Sequence, residues 1–135
     1  MVEITVVYQG SLHTEATHGP SSRQLETDAP KDNEGRGESF SPTDLVATAL
    51  GSCMLTVMGI VALRRNWPLE GASVRVEKHM VADPVRRIGK LVAEFKMPAA
   101  LDNQARHALE RAAHTCPVHQ SLHPDVVKDI RFVYE

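Results

Sequence analysis

Ser41-Pro42-Thr43-Asp44-Leu45-Val46-Ala47-Thr48-Ala49-Leu50-Gly51-Ser52-Cys53-Met54-Leu55-Thr56-Val57-Met58-Gly59-Ile60-Val61-Ala62-Leu63 is the stretch on which the fold turns. Ser41 can cap a helix and Pro42 suits the first helical position. Asp44, three residues after the cap, completes a capping box with Asp in place of the commoner Glu. The nineteen residues from Leu45 to Leu63 carry no charge, and Arg64, Arg65, Asn66 and Pro68 mark the exit. A run of this length can span a membrane. Small and hydroxylated residues interrupt it, however, and the flanking segments are amphipathic strands that would lose their packing surface if the helix left them. The run therefore reads as the core helix of a soluble domain, apolar on all sides. A chain this short rarely covers such a helix alone, which predicts a second copy packed across it.

On the N-terminal side, Val2–Tyr8 is rich in Val, Thr and Tyr and reads as a strand. Ser11–Thr17 returns as the second strand of a hairpin, and a third short strand lies near Gln24–Thr27. The polar segment Asp28–Glu38, with Pro30, Gly35 and Gly37, reads as a loop. On the C-terminal side, Glu70–Ala82 places Ala72, Val74 and Val76 on one face. Lys90–Met97 does the same with Leu91, Ala93, Phe95 and Met97, which predicts an antiparallel hairpin with one buried face. Asp102 caps a predicted helix reaching about Cys116, with Ala105, Leu109 and Ala112 or Ala113 as its stripe. Ser121–Asp125 is a turn and Val127–Tyr134 a last strand. The expected fold class is α+β, one domain over residues 1–135.

The chain has 135 residues and a formal net charge of -2, with no basic run. Nothing in that balance favours nucleic acid or an anionic membrane as a partner. The N-terminus reads as a strand rather than a signal peptide, so the expected compartment is the cytoplasm. In that reducing environment two cysteines are expected as thiols, ligands or catalysts rather than as a structural bridge.

Cys53 on the central helix could be a small core residue. Cys116 alters that reading, because it stands in His114-Thr115-Cys116-Pro117-Val118-His119, where Pro117 disrupts the helix and Cys116 falls at a kink or helix end. A thiol at such a break can move. Two thiols suit peroxide chemistry: a thiolate becomes a sulfenic acid, and a second thiol captures it as a disulfide before further oxidation. The first thiol needs a nearby cation to favour the thiolate. Metal binding is not expected, since Cys116-x-x-His119 has no second close pair of ligands. His119 is instead a candidate hydrogen-bond partner for a thiol. Trp67, beside Pro68, reads as a hydrophobic anchor at the end of the helix.

Ser41-Pro42-Thr43-Asp44-Leu45, Gly51-Ser52-Cys53 and Cys116-Pro117-Val118-His119-Gln120-Ser121-Leu122, in this order of elements, resemble the OsmC/Ohr family over essentially the whole chain. The resemblance implies antiparallel sheets wrapped around a long central helix, in an intertwined homodimer with active sites at the subunit interface. It implies a thiol peroxidase that reduces hydroperoxides, preferring organic ones, without metal or organic cofactor. A dithiol, in some members a lipoylated protein, would recycle it. Cys53 would be the peroxidatic thiol and Cys116 the resolving one.

Two departures stand against that pattern. Members place an arginine in an early hairpin turn, where this chain reads Tyr8-Gln9-Gly10; Arg36 and Arg23 are the candidate substitutes. Members also have a glutamate after the helix-starting proline, where this chain has Thr43 and then Asp44. At 100° per residue Asp44 points away from Cys53 on a straight helix, leaving it a capping role or one across a dimer. A rival reading keeps the dimer but makes it a non-catalytic module that binds a small apolar ligand at the interface.

Overall fold

The computed structural model describes residues Met1 to Glu135, which divide into two compact units, Met1–Val46 and Ala47–Glu135. In the N-terminal unit, β1 (Ile4–Gly10), β2 (His13–His18) and β3 (Gln24–Asp28) form an antiparallel sheet in that order. Ser11 and Leu12 both hold positive φ, 53° and 60°. That handedness matches the twist of two strands joined by a two-residue loop. Every residue of β1 from Ile4 to Gln9 is exposed, including Ile4, Val6, Val7 and Tyr8. The loop after β3 contains a 3-10 turn at Lys31–Asn33, and the Asp28 N–H donates to the Phe40 carbonyl across it.

Inside this unit His13 bridges two acids of β3. Its Nδ1 lies 2.6 Å from Asp28 Oδ1 and its Nε2 lies 3.2 Å from Glu26 Oε1. Asp28 is buried. The hydrogen bond to Asp28, then that to Glu26, holds the imidazole above its ordinary pKa.

α1 (Pro42–Arg65) begins with the expected capping box. The Ser41 N–H donates to Asp44 Oδ2 at 2.9 Å, and the Asp44 N–H donates to Ser41 Oγ at 3.1 Å. Ser41 is buried, which leaves its backbone groups dependent on that exchange. From Ala47 onward the helix belongs to the C-terminal unit. Ala47, Leu50, Gly51, Met54, Met58 and Ala62 are its buried stripe. Thr48, Ser52, Thr56, Ile60 and Leu63 recur at helical spacing on an exposed one, and Leu63 is 79% exposed. By length and composition the helix could cross a membrane. It carries no charge from Leu45 to Leu63, its exposed stripe mixes hydroxyls with Ile60 and Leu63, and its buried residues lie on one side.

The sheet beneath that buried stripe comprises β4 (Ser73–Val81), β5 (Arg87–Met97) and β6 (Val127–Tyr134), in that order. β4 and β5 form the expected antiparallel hairpin, with a bulge at His79/Met80. Leu91, Ala93, Phe95 and Met97 are buried, and Val74 and Val76 pack with them. The alternate positions Arg75, Glu94 and Arg131 are exposed, which makes this a half-buried sheet with one ionic face.

The last pairing departs from the antiparallel expectation: β6 runs parallel to β5, with Phe132 opposite Phe95 and the two rings stacked at 5.1 Å. A parallel neighbour requires a crossover. It is supplied by α2 (Asn103–Ala113), which packs Ala105, Leu109 and Ala113 into the same core, and by α3 (Pro117–Ser121). α3 was not foreseen, because Pro117 reads as a helix breaker when it is in fact the first residue of a new helix capped by Cys116. Trp67 takes its expected place after α1. Its N–H bonds the Ala62 carbonyl at 2.9 Å, and the Arg65 guanidinium lies 5.3 Å from the ring centroid.

Gly51 sets how closely α1 approaches the sheet. A Cβ there would stand 2.9 Å from Val74 Cγ1 and 3.0 Å from Val76 Cγ2. Overpacking such a contact costs about 1–3 kcal/mol. Gly51→Val is expected to lower stability by that amount, read as a fall in the urea midpoint.

A second expectation concerns pH. With a raised folded pKa, His13 contributes stability that is complete below its unfolded value of 6.5 and is lost as pH rises through the folded value. The urea midpoints of wild type and His13→Gln should therefore differ most below pH 6.5 and converge as pH rises through the raised folded value. A gap that widens with pH would refute this account of the cluster.

Candidate functional site

The C-terminal unit brings together the two cysteines. Both are free thiols, Cys53 half-buried and Cys116 with 0% of its surface exposed. Cys53 lies on the flank of the buried stripe of α1, between Leu50 and Met54. Cys116 lies at the break between α2 and α3, near enough to Cys53 for the two thiols to influence each other. The core brings them together: α1 and α2 both pack on β5, so residues far apart in sequence meet over one sheet face.

The environments of the two sulfurs differ. Burial pushes the Cys116 thiol up, and its hydrogen bond to Cys53 pushes it further. The backbone N–H groups of His119 and Val118 act in the opposite direction and are outweighed. The His119 N–H reaches Cys116 Sγ at 3.4 Å. Cys116 therefore holds its proton at neutral pH.

His119 does contact a thiol, but through its main chain rather than its imidazole. The ring sits edge-on to His114, with centroids 5.7 Å apart. Burial, then Lys128 and His114, lower its pKa, so the ring is neutral at neutral pH. His114 in turn hydrogen-bonds the Glu110 carbonyl at 2.8 Å and leans on Phe132.

The other candidates lie in the N-terminal unit. The Asp44 carboxylate is engaged in the capping box. Arg23 is exposed in the turn before β3, and Arg36 is exposed in the loop after the 3-10 turn.

The break at Cys116 is more firmly fastened than a helix kink suggests. The Thr115 N–H and Oγ1 both reach the Ala112 carbonyl, at 2.9 and 2.7 Å. The Cys116 N–H reaches Ala113 O at 3.2 Å, and the Gln120 N–H reaches Cys116 O at 3.0 Å. The Gln120 side chain donates to the His114 carbonyl at 2.9 Å. Pro117 thus starts a turn of helix that gives the chain around Cys116 new hydrogen-bond partners. Gln120 stands in the sequence only as one residue of the Cys116–Leu122 motif, with no role attached to it there.

Comparison with known proteins agrees with this architecture. Residues 35–131 match the family model described as OsmC-like protein. No curated protein matches. Among solved structures, a candidate osmotic stress induced and detoxification response protein of Psychrobacter arcticus is 42% identical, with a TM-score of 0.92 and coverage of 98% of this chain and 96% of that one. An organic hydroperoxide resistance protein OsmC of Legionella pneumophila is 18% identical, with a TM-score of 0.78 and the same coverage. An organic hydroperoxide resistance protein of Elizabethkingia anophelis, crystallised with thiocyanate bound, is 13% identical, with a TM-score of 0.79 and coverage of 100% of this chain and 96% of that one. The two-sheet α+β architecture, the long capped helix and the family match together place this chain in the OsmC-like protein family.

Proposed function

We propose that the chain is a thiol peroxidase in which Cys53 reduces a hydroperoxide and Cys116 resolves the product. The observation that carries this reading is the unequal thiol pair: two free, mutually interacting thiols, one half-buried, the other buried and protonated. The names of the Legionella and Elizabethkingia structures, which concern organic hydroperoxide resistance, support the substrate class.

In the first step the Cys53 thiolate attacks the distal peroxide oxygen. The O–O bond breaks, the leaving alkoxide takes a proton to become an alcohol, and sulfur is oxidised to the sulfenic acid. In the second, the Cys116 sulfur attacks Cys53 Sγ. The S–O bond breaks and hydroxide leaves as water with the thiol proton. A dithiol then reduces the disulfide by exchange and is itself oxidised. The cycle needs no metal or organic cofactor.

A homodimer completes this reading. Ile4, Val6, Val7 and Tyr8 on β1 and Ile60 and Leu63 on α1 are all exposed large apolar residues. A strand exposed on both faces and a helix covered on one side leave apolar surface that a second copy would bury. The activating cation would be Arg36 or Arg23.

Single-turnover assays with cumene hydroperoxide test the roles. Cys53→Ser should consume no peroxide. Cys116→Ser should complete one turnover and leave Cys53 as a sulfenic acid or its over-oxidised products, identified by mass spectrometry. The reverse pattern would exchange the two assignments. A wild type that consumes neither cumene hydroperoxide nor hydrogen peroxide with any dithiol would favour the ligand-binding module. Light scattering at micromolar concentration tests the assembly, and twice the chain mass of 14.9 kDa is expected; a monomer would exclude the dimer.

A further inference from the structure

α3 has five residues and none of them is buried. A helix this short does not hold its own shape in water, since nucleation costs more than a single turn returns. Yet α3 carries the His119 N–H that faces Cys116 Sγ. Its placement must come from ties to the rest of the chain: Val118 packs its side chain against the core, and hydrogen bonds supply the rest. The Thr115 and Cys116 bonds to Ala112 and Ala113 extend the end of α2 and do not reach α3. The Gln120 side chain does: its Nε2 donates to the His114 carbonyl at 2.9 Å, while its own N–H donates to the Cys116 carbonyl at 3.0 Å. One residue thus clasps the chain on both sides of Thr115 and closes the loop that presents Cys116.

We propose that Gln120 is a positioning residue for Cys116. Its amide holds α3 against the end of α2, keeps Cys116 Sγ beside Cys53, and so sets how a sulfenic acid on Cys53 is partitioned. This deepens the two-thiol cycle proposed above and rests on it. On one branch Cys116 attacks Cys53 Sγ and water leaves, giving the disulfide. On the other a second hydroperoxide transfers oxygen to the sulfenic sulfur, giving a sulfinic acid and an alcohol. The first branch is an intramolecular attack, and its rate depends on alignment of the two sulfurs. The second does not involve Cys116. Loosening the clasp therefore slows the first branch alone.

Three variants test this. Gln120→Glu keeps the length but has no donor at neutral pH, Gln120→Ala removes the group, and Gln120→Lys restores a donor. The first measurement is the ratio of disulfide to sulfinic acid by intact mass across a cumene hydroperoxide titration. The second needs no peroxide. Glutathione disulfide is attacked by the Cys53 thiolate, releasing one glutathione and leaving a mixed disulfide. Cys116 then attacks Cys53 Sγ and expels the second glutathione as its thiolate, with the thiol proton passing to solvent. The closure rate of that mixed disulfide is followed by mass spectrometry. Closure should slow on the order of tenfold in the Glu and Ala variants and stay near wild type in the Lys variant, with the sulfinic share rising in step. Circular dichroism establishes that all three are folded before the comparison. Glu and Ala variants that close as fast as wild type, or a Lys variant as slow as Ala, would overturn the proposal. A wild type inert to peroxide would remove the peroxidase reading, and the glutathione measurement would still decide the clasp.

Discussion

The seating of α1 on β4 is the contact from which the C-terminal unit is built. At Gly51 the helix comes so close that a methyl group would press into Val74 and Val76. That contact brings Leu50 and Met54, on the same side of the helix, into the core with Phe95 and Leu91. It also fixes Cys53, two positions along, at the edge of the buried stripe. A helix held by large side chains alone would stand further from the sheet, and the sulfur with it. The second thiol arrives through a different constraint. β6 must enter parallel to β5, so the chain has to cross back over the same face, and α2 is the segment that does it. Cys116 lies at the end of that crossover, where the chain turns from α2 into α3.

Much of this was legible in local patterns. The Ser41–Asp44 box, the alternation of β4 and β5 and the Ala105, Leu109, Ala113 stripe each depend on residues a few positions apart, and each appears where its pattern placed it. The parallel entry of β6 was not legible, because Val127–Tyr134 alternates in the same way whether its neighbour runs with it or against it. α3 was missed for a different reason. Cys116-Pro117 has the same grammar as Ser41-Pro42, a cap followed by proline at the first helical position. Cysteine is not among the usual caps, and its sulfur takes a long bond of 3.4 Å where a hydroxyl would take a shorter one. The proline was therefore read as an ending and not as a beginning.

The same misreading concealed the partners of the second thiol. A cysteine at a frayed helix end would have water for company. A cysteine acting as a cap has backbone N–H groups directed at its sulfur and apolar residues around it. Those influences oppose one another on the Cys116 proton, and burial prevails. His119 illustrates how residue type can mislead at such a turn. Its imidazole drew attention as a candidate thiol partner, whereas the contact is made by the main-chain N–H that any residue other than proline would offer at that position.

A protonated, enclosed thiol against a more accessible one is a division of labour that burial alone can produce. In the proposed cycle the attacking sulfur must be reached by substrate, and Cys53 is the half-buried member of the pair while Cys116 is fully buried. The resolving sulfur must avoid substrate and still reach its partner, which favours a buried group in direct contact with it. Burial raises the cost of ionising Cys116, and under the proposed roles that cost would protect the thiol from oxidation while Cys53 is reduced. In the proposed cycle, once Cys53 carries oxygen the hydroxide that leaves would take the proton of Cys116, so the second thiol would become nucleophilic as it attacks. The proposed pair would therefore require no separate base at Cys116, and the neutral ring of His119 is consistent with that.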